Sequence, residues 1–313
     1  MALADHIRDL APAKCCNGAC SIDHGPVDFL SCDSMLVEIA IGDAYGAGFE
    51  YAPDRLVRER NDLFSYVPHP RHRIKPGCYT DDTQMSIAVA EAVLSGERWD
   101  PTLLARHFVA AFKRDPREGY ASGFYTLLQD VRDEAEFLER IRPDSDKSGA
   151  AMRACPIGVF SSIGTVIDRA TVQAALTHKT TEGANAAIAA AVMTHYCHFH
   201  LGPKANLGQF LASMVPGPWV GRWHGKVGPK GMMAVHAAIT AVMESDRMTD
   251  LLKKCISFTG DVDTVAAIAL GAGSCSDEIE QDLPEHLFRD LENGPFGHDF
   301  LKALDARLMG TSV

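Results

Sequence analysis

Two aspartates in succession, flanked by threonines, stand at the mouth of an apolar stretch: Thr80-Asp81-Asp82-Thr83, followed by Gln84 and Met85. Adjacent carboxylates repel each other unless something positive lies near them. One Asp or Thr suffices to cap a helix, so the doubled charge points to a hard cation with oxygen ligands. The design recurs far down the chain as Gly260-Asp261-Val262-Asp263-Thr264, again opening an Ala-rich segment. Asp261 and Asp263 are two residues apart, so an extended or turning backbone directs both to one side, and Thr264 adds a hydroxyl. Brought together, the two clusters offer only oxygen donors, which suits a pair of Mg²⁺ or Mn²⁺ ions and argues against zinc or copper. The alternative is that each cluster simply caps its own helix.

A third segment runs Ile41-Gly42-Asp43-Ala44-Tyr45-Gly46-Ala47-Gly48-Phe49-Glu50. Gly42 and Gly46 are one helical turn apart, which lets another helix pass close by. Glu50 follows the glycines where the helix should end; on its own it reads as an exposed helix-end glutamate. The nine cysteines are odd in number, and the later ones are scattered singly through apolar segments. That is the habit of buried thiols in a reducing, cytoplasmic compartment. Cys15, Cys16 and Cys20, near His24, lack the paired spacing of a zinc site, and a flexible tail is expected there. His195 and His198 share a helical face while His200 lies elsewhere, so a helix end is expected in place of a second metal site.

The elements that must carry these residues are helical. Apolar periodicity and capping residues predict helices at 35–47, 82–95, Pro101–Arg114, 123–132, 182–200, Gly231–Glu244, Met248–Ser257 and 264–272. Gly96 supplies a left-handed stop after the second, and Asp100-Pro101 supplies an N-cap and N1 proline for the third. Met85, Ala88, Val89, Ala92 and Val93 fall on one stripe, a core face. Alternating strand patterns are scarce, the best lying at 27–30. With 313 residues, 46% of them hydrophobic, the chain can bury a full core. One all-α domain over 34–313 after a tail at 1–33 is the expectation. Forty-one acidic residues against 30 basic leave −11, and no basic stripe gathers, which excludes nucleic-acid binding by charge. Apolar runs fall short of the roughly 18–20 residues of a membrane span, and Asp5, His6, Arg8 and Asp9 interrupt any signal-peptide core.

Together the three acidic segments resemble the ADP-ribosylglycohydrolase family. Gly42-Asp43-Ala44-Tyr45-Gly46 through Glu50 matches its opening helix, Gly77 through Met85 its TDDT segment, and Gly260 through Thr264 its GDTDT-like segment. Weaker likenesses lie between them: Gly119-Tyr120-Ala121-Ser122-Gly123, Ser148-Gly149-Ala150-Ala151-Met152-Arg153, and Thr177-His178. Ser148 stands where the family usually has Asn, Ala121 replaces a loop glycine, and Val262 replaces a threonine.

The resemblance implies a compact orthogonal helical bundle around a binuclear magnesium or manganese site. It implies Thr80, Asp81, Asp82, Asp261, Asp263 and Thr264 as metal ligands, with Glu50 as a seventh that rests on the resemblance. The implied reaction removes ADP-ribose from a modified protein side chain at ribose C1″, arginine first among acceptors. Serine, a nucleobase or a small ADP-ribose derivative are the other acceptors left open. Asp82 or Asp261, then Glu50, are the expected proton-transfer groups. Gly119, Tyr120, Gly123, Ser148, Gly149, Met152 and His178 are expected around the ligand, the small residues offering backbone N–H groups to the diphosphate, and Tyr79 is expected to border the ribose. A prenyl-diphosphate enzyme is disfavoured because Met85 occupies the last acidic position of its DDxxD pattern. A binder of ADP-ribose without turnover is the non-enzymatic alternative.

Overall fold

The structure is a computed structural model that describes residues 34–310. The expected tail, the Cys15–Cys16–Cys20 tract and the strand at 27–30 lie outside the described residues. Within them the chain is helical: α1 (Leu36–Ala47), α2 (Asp54–Arg60), α3 (Asp81–Leu94), α4 (Pro101–Arg114), α5 (Ser122–Asp130), α6 (Glu134–Arg140), α7 (Ile163–Ala175), α8 (Thr181–His198), α9 (Leu207–Met214), α10 (Gly231–Glu244), α11 (Met248–Ser257), α12 (Val262–Gly273), α13 (Glu285–Arg289) and α14 (His298–Met309). Extended pairing among the described residues is confined to isolated bridges such as Val227 with Gly260.

Helix α12 is the centre. Its sequence, VDTVAAIALGAG, is apolar nearly all round and every residue is buried, as expected of a helix with no solvent face. Helices α1, α3, α8, α10 and α11 pack around it. Helix α1 is equally buried, and its glycines set the spacing. A Cβ added at Gly46 would lie 2.4 Å from the Asp263 Cα, and one at Gly42 would lie 2.7 Å from the Ala266 carbonyl. The helix expected to pass close to these glycines is therefore α12, and the contact falls on an acidic residue of the second cluster.

Two helix starts are capped from other helices. Asp305 of α14 accepts from the N–H groups of Met35, Leu36 and Val37 at 2.9–3.1 Å, which satisfies the orphan donors of α1. Asp43 of α1 does the same for α3, as described below. Asp100 caps α4 from within by accepting from Thr102 and Leu103, and Gly96 takes the left-handed φ of +66°. The helices foreseen in the sequence start and stop within a residue or two of those observed. Helices α2, α6, α7, α9, α13 and α14 were not foreseen. Helix α7 (IGTVIDRATVQAA) carries six β-branched residues, which lower helix propensity, and packing against α8 prevails.

A Gly46→Ala substitution should lower the unfolding free energy by about 1–3 kcal/mol, the usual cost of overpacking. Gly123→Ala, whose Cβ meets nothing within 4 Å, should stay within about 0.5 kcal/mol of wild type. Urea unfolding midpoints at equal slope check both.

Candidate active site

The acidic segments meet. Glu50, Asp81, Asp82, Asp261, Asp263 and Thr264 line one cleft of about 650 Å³, together with Gly119, Tyr120, Gly123, Ser148, Gly149, Met152 and His178. Phe124, Leu127, Ile141 and Arg142 complete its walls. Each acidic cluster arrives on its own helix terminus: Asp81 and Asp82 at the start of α3, Asp261 and Asp263 at the start of α12. Glu50 follows the end of α1, where Tyr51 adopts a left-handed φ of +48° and donates its N–H to the Gly260 carbonyl at 2.8 Å. That bond ties the Glu50 turn to the second acidic cluster.

Asp43, quoted in the sequence only as part of a motif, is what holds α3 in place. It is fully buried. Its Oδ2 accepts from Thr80 N, Thr83 N and Thr83 Oγ1 at 2.6–3.0 Å, and its Oδ1 accepts from Thr80 Oγ1 at 2.8 Å. The Thr80 and Thr83 hydroxyls thus spend their protons on Asp43, so α3 takes its cap from α1 and leaves Asp81 and Asp82 uncommitted to capping. The sequence signal was an aspartate amid an apolar helix, a charge that must find donors if buried.

The acidic wall itself is not satisfied in that way. Asp82 Oδ1 and Asp263 Oδ1 are buried and have no hydrogen-bond partner among the described residues. Glu50, Asp261 and Asp263 each bring a carboxylate oxygen within 4.8 Å of the others. Burial raises the Asp81, Asp82 and Asp263 carboxyls well above the usual range, with Asp43 adding most repulsion at Asp81 and Asp82 and Glu50 at Asp263. Burial, then Glu50, pushes Asp261 up to about 7, against a hydrogen bond from Ser148. Orphaned carboxylate oxygens in an all-oxygen donor set fit a hard divalent cation, which would supply the missing positive charge.

Glu50 is held by a loop that the sequence did not flag. His69 Nδ1 accepts from the N–H groups of Arg71 and His72, both at 3.0 Å. Its proton must then sit on Nε2, which donates to Glu50 Oε2 at 2.7 Å. Arg71 reaches Glu50 Oε1 at 3.4 Å. Although Glu50, His69 and His72 lie close enough to enclose an ion, both His69 nitrogens are already engaged. His69 orients Glu50 as hydrogen-bond partners orient metal ligands.

The remaining expected residues are placed as follows. Gly119 adopts a φ of +111°, and a Cβ there would come within 2.1 Å of Asp81 Oδ1, so only glycine lets this loop approach the acidic wall. Tyr120 donates to Gln84 Oε1 at 2.7 Å and packs its ring on Phe112 and Phe124. Ser148 differs from expectation: its N–H donates to the Pro229 carbonyl and its hydroxyl bonds Asp261, so it braces the acidic wall and its backbone N–H is not available to an anion. Tyr79 is a correction. It is absent from the cleft, buried at 2% exposure, with its hydroxyl on the Phe296 carbonyl at 2.8 Å and the Arg117 guanidinium over its ring at 3.8 Å. The C-terminal segment covers it, and the residue is core. Of the histidines near the end of α8, His195 bonds the Gly158 carbonyl and His200 pairs with Asp277.

A family model described as ADP-ribosylglycohydrolase matches residues 34–312. ADP-ribosylhydrolase ARH3 of Homo sapiens is 33% identical over 174 residues, 50% of this chain and 46% of its own length. The Bos taurus ARH3 is 32% identical over 170 residues, again 50% of this chain and 46% of its own length. ADP-ribosylarginine hydrolase Tri1 of Serratia proteamaculans is 30% identical over 133 residues, 40% of this chain and 35% of its own. The matched stretch spans about half, or less, of the length of these relatives. A solved structure titled ADP-ribosylglycohydrolase-related protein complex shares the fold, with a TM-score of 0.68 at 21% identity over 90% of this chain and 98% of its own.

The raised Asp261 carboxyl gives a pH prediction. The folded chain binds this proton more tightly than the unfolded one, so without divalent cations Asp261 costs stability progressively as pH rises from about 4, where the unfolded carboxyl ionises, to about 7, where the folded one does. In EDTA, Asp261→Asn should therefore melt higher than wild type at pH 8, and the difference should be clearly smaller at pH 5.5, vanishing only below about pH 4. Thermal melts at the two pH values check this; an unchanged difference would show that the carboxylate does not carry the strain.

Proposed function

The chain belongs to the ADP-ribosylglycohydrolase family, and from that premise we propose that it hydrolyses the glycosidic bond joining ADP-ribose to a modified protein side chain. The observation that carries the reading is the convergence of both aspartate pairs and Glu50 on one cleft wall, with two buried carboxylate oxygens lacking donors. Glu50, Thr80, Asp81, Asp82, Asp261, Asp263 and Thr264 are the residues proposed to hold two Mg²⁺ or Mn²⁺ ions. When bound, such ions polarise water and sugar hydroxyls and fix the ribose. The Thr80 hydroxyl keeps its lone pairs for this purpose, since its proton goes to Asp43.

The chain's own residues divide the remaining work. Asp82, Asp261 and Glu50 are the proposed proton carriers at the reacting C1″, where cleavage passes through an oxocarbenium-like state. Glu50, with 18% of its side chain exposed, is the least buried of the three, and His69 and Arg71 fix its two oxygens. Gly119, Tyr120, Gly123, Gly149, Met152 and His178 would contact the ligand, and Ser148 would act through Asp261. The apolar Phe124 and Ile141 walls suit the adenosine. A cytoplasmic location is part of the reading and is supported by the buried thiols of Cys155 and Cys255. No described helix is long and apolar enough to cross a membrane.

Arginine is the proposed acceptor, supported by the relatives named as ADP-ribosylarginine hydrolases. A hydroxyl-linked acceptor such as serine is the second reading. It is favoured by Arg71 and Lys226, whose charged groups lie 4.8 and 5.5 Å from the Tyr51 ring on the cleft wall and would repel a guanidinium.

Peptides ADP-ribosylated on arginine or on serine, incubated with the protein and Mg²⁺ or Mn²⁺, should release free ADP-ribose; tight binding without release would support the non-catalytic binder. Asp81→Ala and Asp261→Ala should each cut the rate by on the order of 100-fold or more, with helical content by circular dichroism unchanged. Activity retained by both would overturn the shared-site reading. Arg71→Ala with Lys226→Ala should raise the arginine-to-serine rate ratio if the two cations act on the acceptor.

A further inference from the structure

Behind the cleft lies a hydrogen-bonded chain whose direction is fixed by chemistry. Arg153 is 1% exposed. Its Nε donates to Gln173 Oε1 at 2.5 Å, its Nη2 donates to Thr177 Oγ1 at 2.7 Å, and its guanidinium lies 4.4 Å from the Phe108 ring centroid. Gln173 is itself anchored, donating from Nε2 to the Ala150 carbonyl at 3.0 Å. A guanidinium has donors and no acceptor, so the Thr177 oxygen must accept from it. Thr177 Oγ1 has no other hydrogen-bond partner among the described residues, so the acceptor for its proton is His178 Nδ1, 2.7 Å away. An imidazole that accepts at Nδ1 while neutral carries its proton on Nε2.

That second nitrogen faces the cleft. A Cβ built on Gly149 would lie 3.0 Å from His178 Cε1 and 3.3 Å from Nε2, and both residues line the cavity. Among the described residues no acceptor is bonded to His178 Nε2. The glycine at 149 thus leaves the N–H edge of the ring uncovered.

We propose that Arg153 and Thr177 are positioning residues that set the tautomer of His178, so that its Nε2–H points into the cleft as a donor to an anionic oxygen of the ligand. Naming that oxygen as part of the diphosphate of ADP-ribose rests on the function proposed above; the tautomer itself does not. Burial and the nearby Arg153 charge lower the His178 imidazole to about 3, so the ring stays neutral and the donor persists through the physiological pH range. A neutral donor on a fixed axis gives direction to a phosphate that the surrounding acidic protein would repel, while the Arg153 charge stays two hydrogen bonds behind the ring.

The test has two independent readouts. In histidine-labelled protein, ¹⁵N NMR should show His178 with a protonated Nε2 and a bare Nδ1, the signal being assigned by its loss in His178→Gln. Finding the proton on Nδ1 would overturn the proposal. Thr177→Val keeps the shape and removes the hydroxyl, and should shift the tautomer signal and weaken ADP-ribose binding about tenfold by calorimetry, the usual worth of one well-placed hydrogen bond. Thr177→Ser should restore both. An unchanged tautomer and affinity in Thr177→Val would also overturn it. Should wild-type protein fail to bind ADP-ribose, the functional reading falls, whereas the NMR signature still decides the tautomer.

Discussion

Like charges crowded onto a buried wall form the constraint around which this molecule is arranged. Two other buried carboxylates are amply supplied with donors. Asp305 receives three backbone donors and Asp43 receives two N–H and two O–H donors, so each charge is solvated by protein in place of water. Asp82 and Asp263 each have one oxygen with no such donor, and Asp81, Asp82 and Asp263 all feel the charge of other acidic residues. A fold able to cradle Asp43 so fully has the means to satisfy its neighbours. Leaving them unsatisfied makes sense when the missing positive charge is brought by a ligand.

Helix α1 makes that wall possible. Its glycines admit α12 to van der Waals distance, which brings Asp261 and Asp263 beside it; its Asp43 fixes the start of α3, which brings Asp81 and Asp82; its C-terminal turn delivers Glu50. One helix therefore sets the register of three acidic contributions separated by more than two hundred residues in sequence. Small residues at helix contacts permit close approach, and here closeness serves charge placement as well as packing.

Much of this was legible in the sequence. The doubled aspartates could be recognised because one carboxylate is enough for a cap, and Gly42 with Gly46 announced a close helix crossing. The all-α architecture followed from apolar spacing and from caps such as Asp100. The less legible parts are those in which a residue acts through a partner distant in sequence. Nothing in the spacing of Asp43 reveals that Thr80 and Thr83 spend their protons on it. His69 gives no sign of gripping Glu50, because its tautomer is set by two N–H groups of its own loop. Tyr79 misled for the opposite reason: proximity to the acidic motif in sequence suggested the cleft, while the segment around Phe296 claims its hydroxyl. Helix α7 is obscured by its β-branched residues, whereas α14 carries a plain pattern of Leu301, Leu304 and Leu308 on its buried face.

The cap that Asp305 lends to α1 also orders events in time. During synthesis, α1 is among the first described elements to leave the ribosome and the residue that completes its N-terminus among the last. Until α14 emerges, α1 lacks its terminal partner, and α12 is itself made more than two hundred residues after α1. Pairings this distant along the chain carry a high loop-closure entropy and favour slow folding. The acidic wall therefore cannot assemble before α12 has been made, which keeps its repelling charges apart while the intervening chain grows.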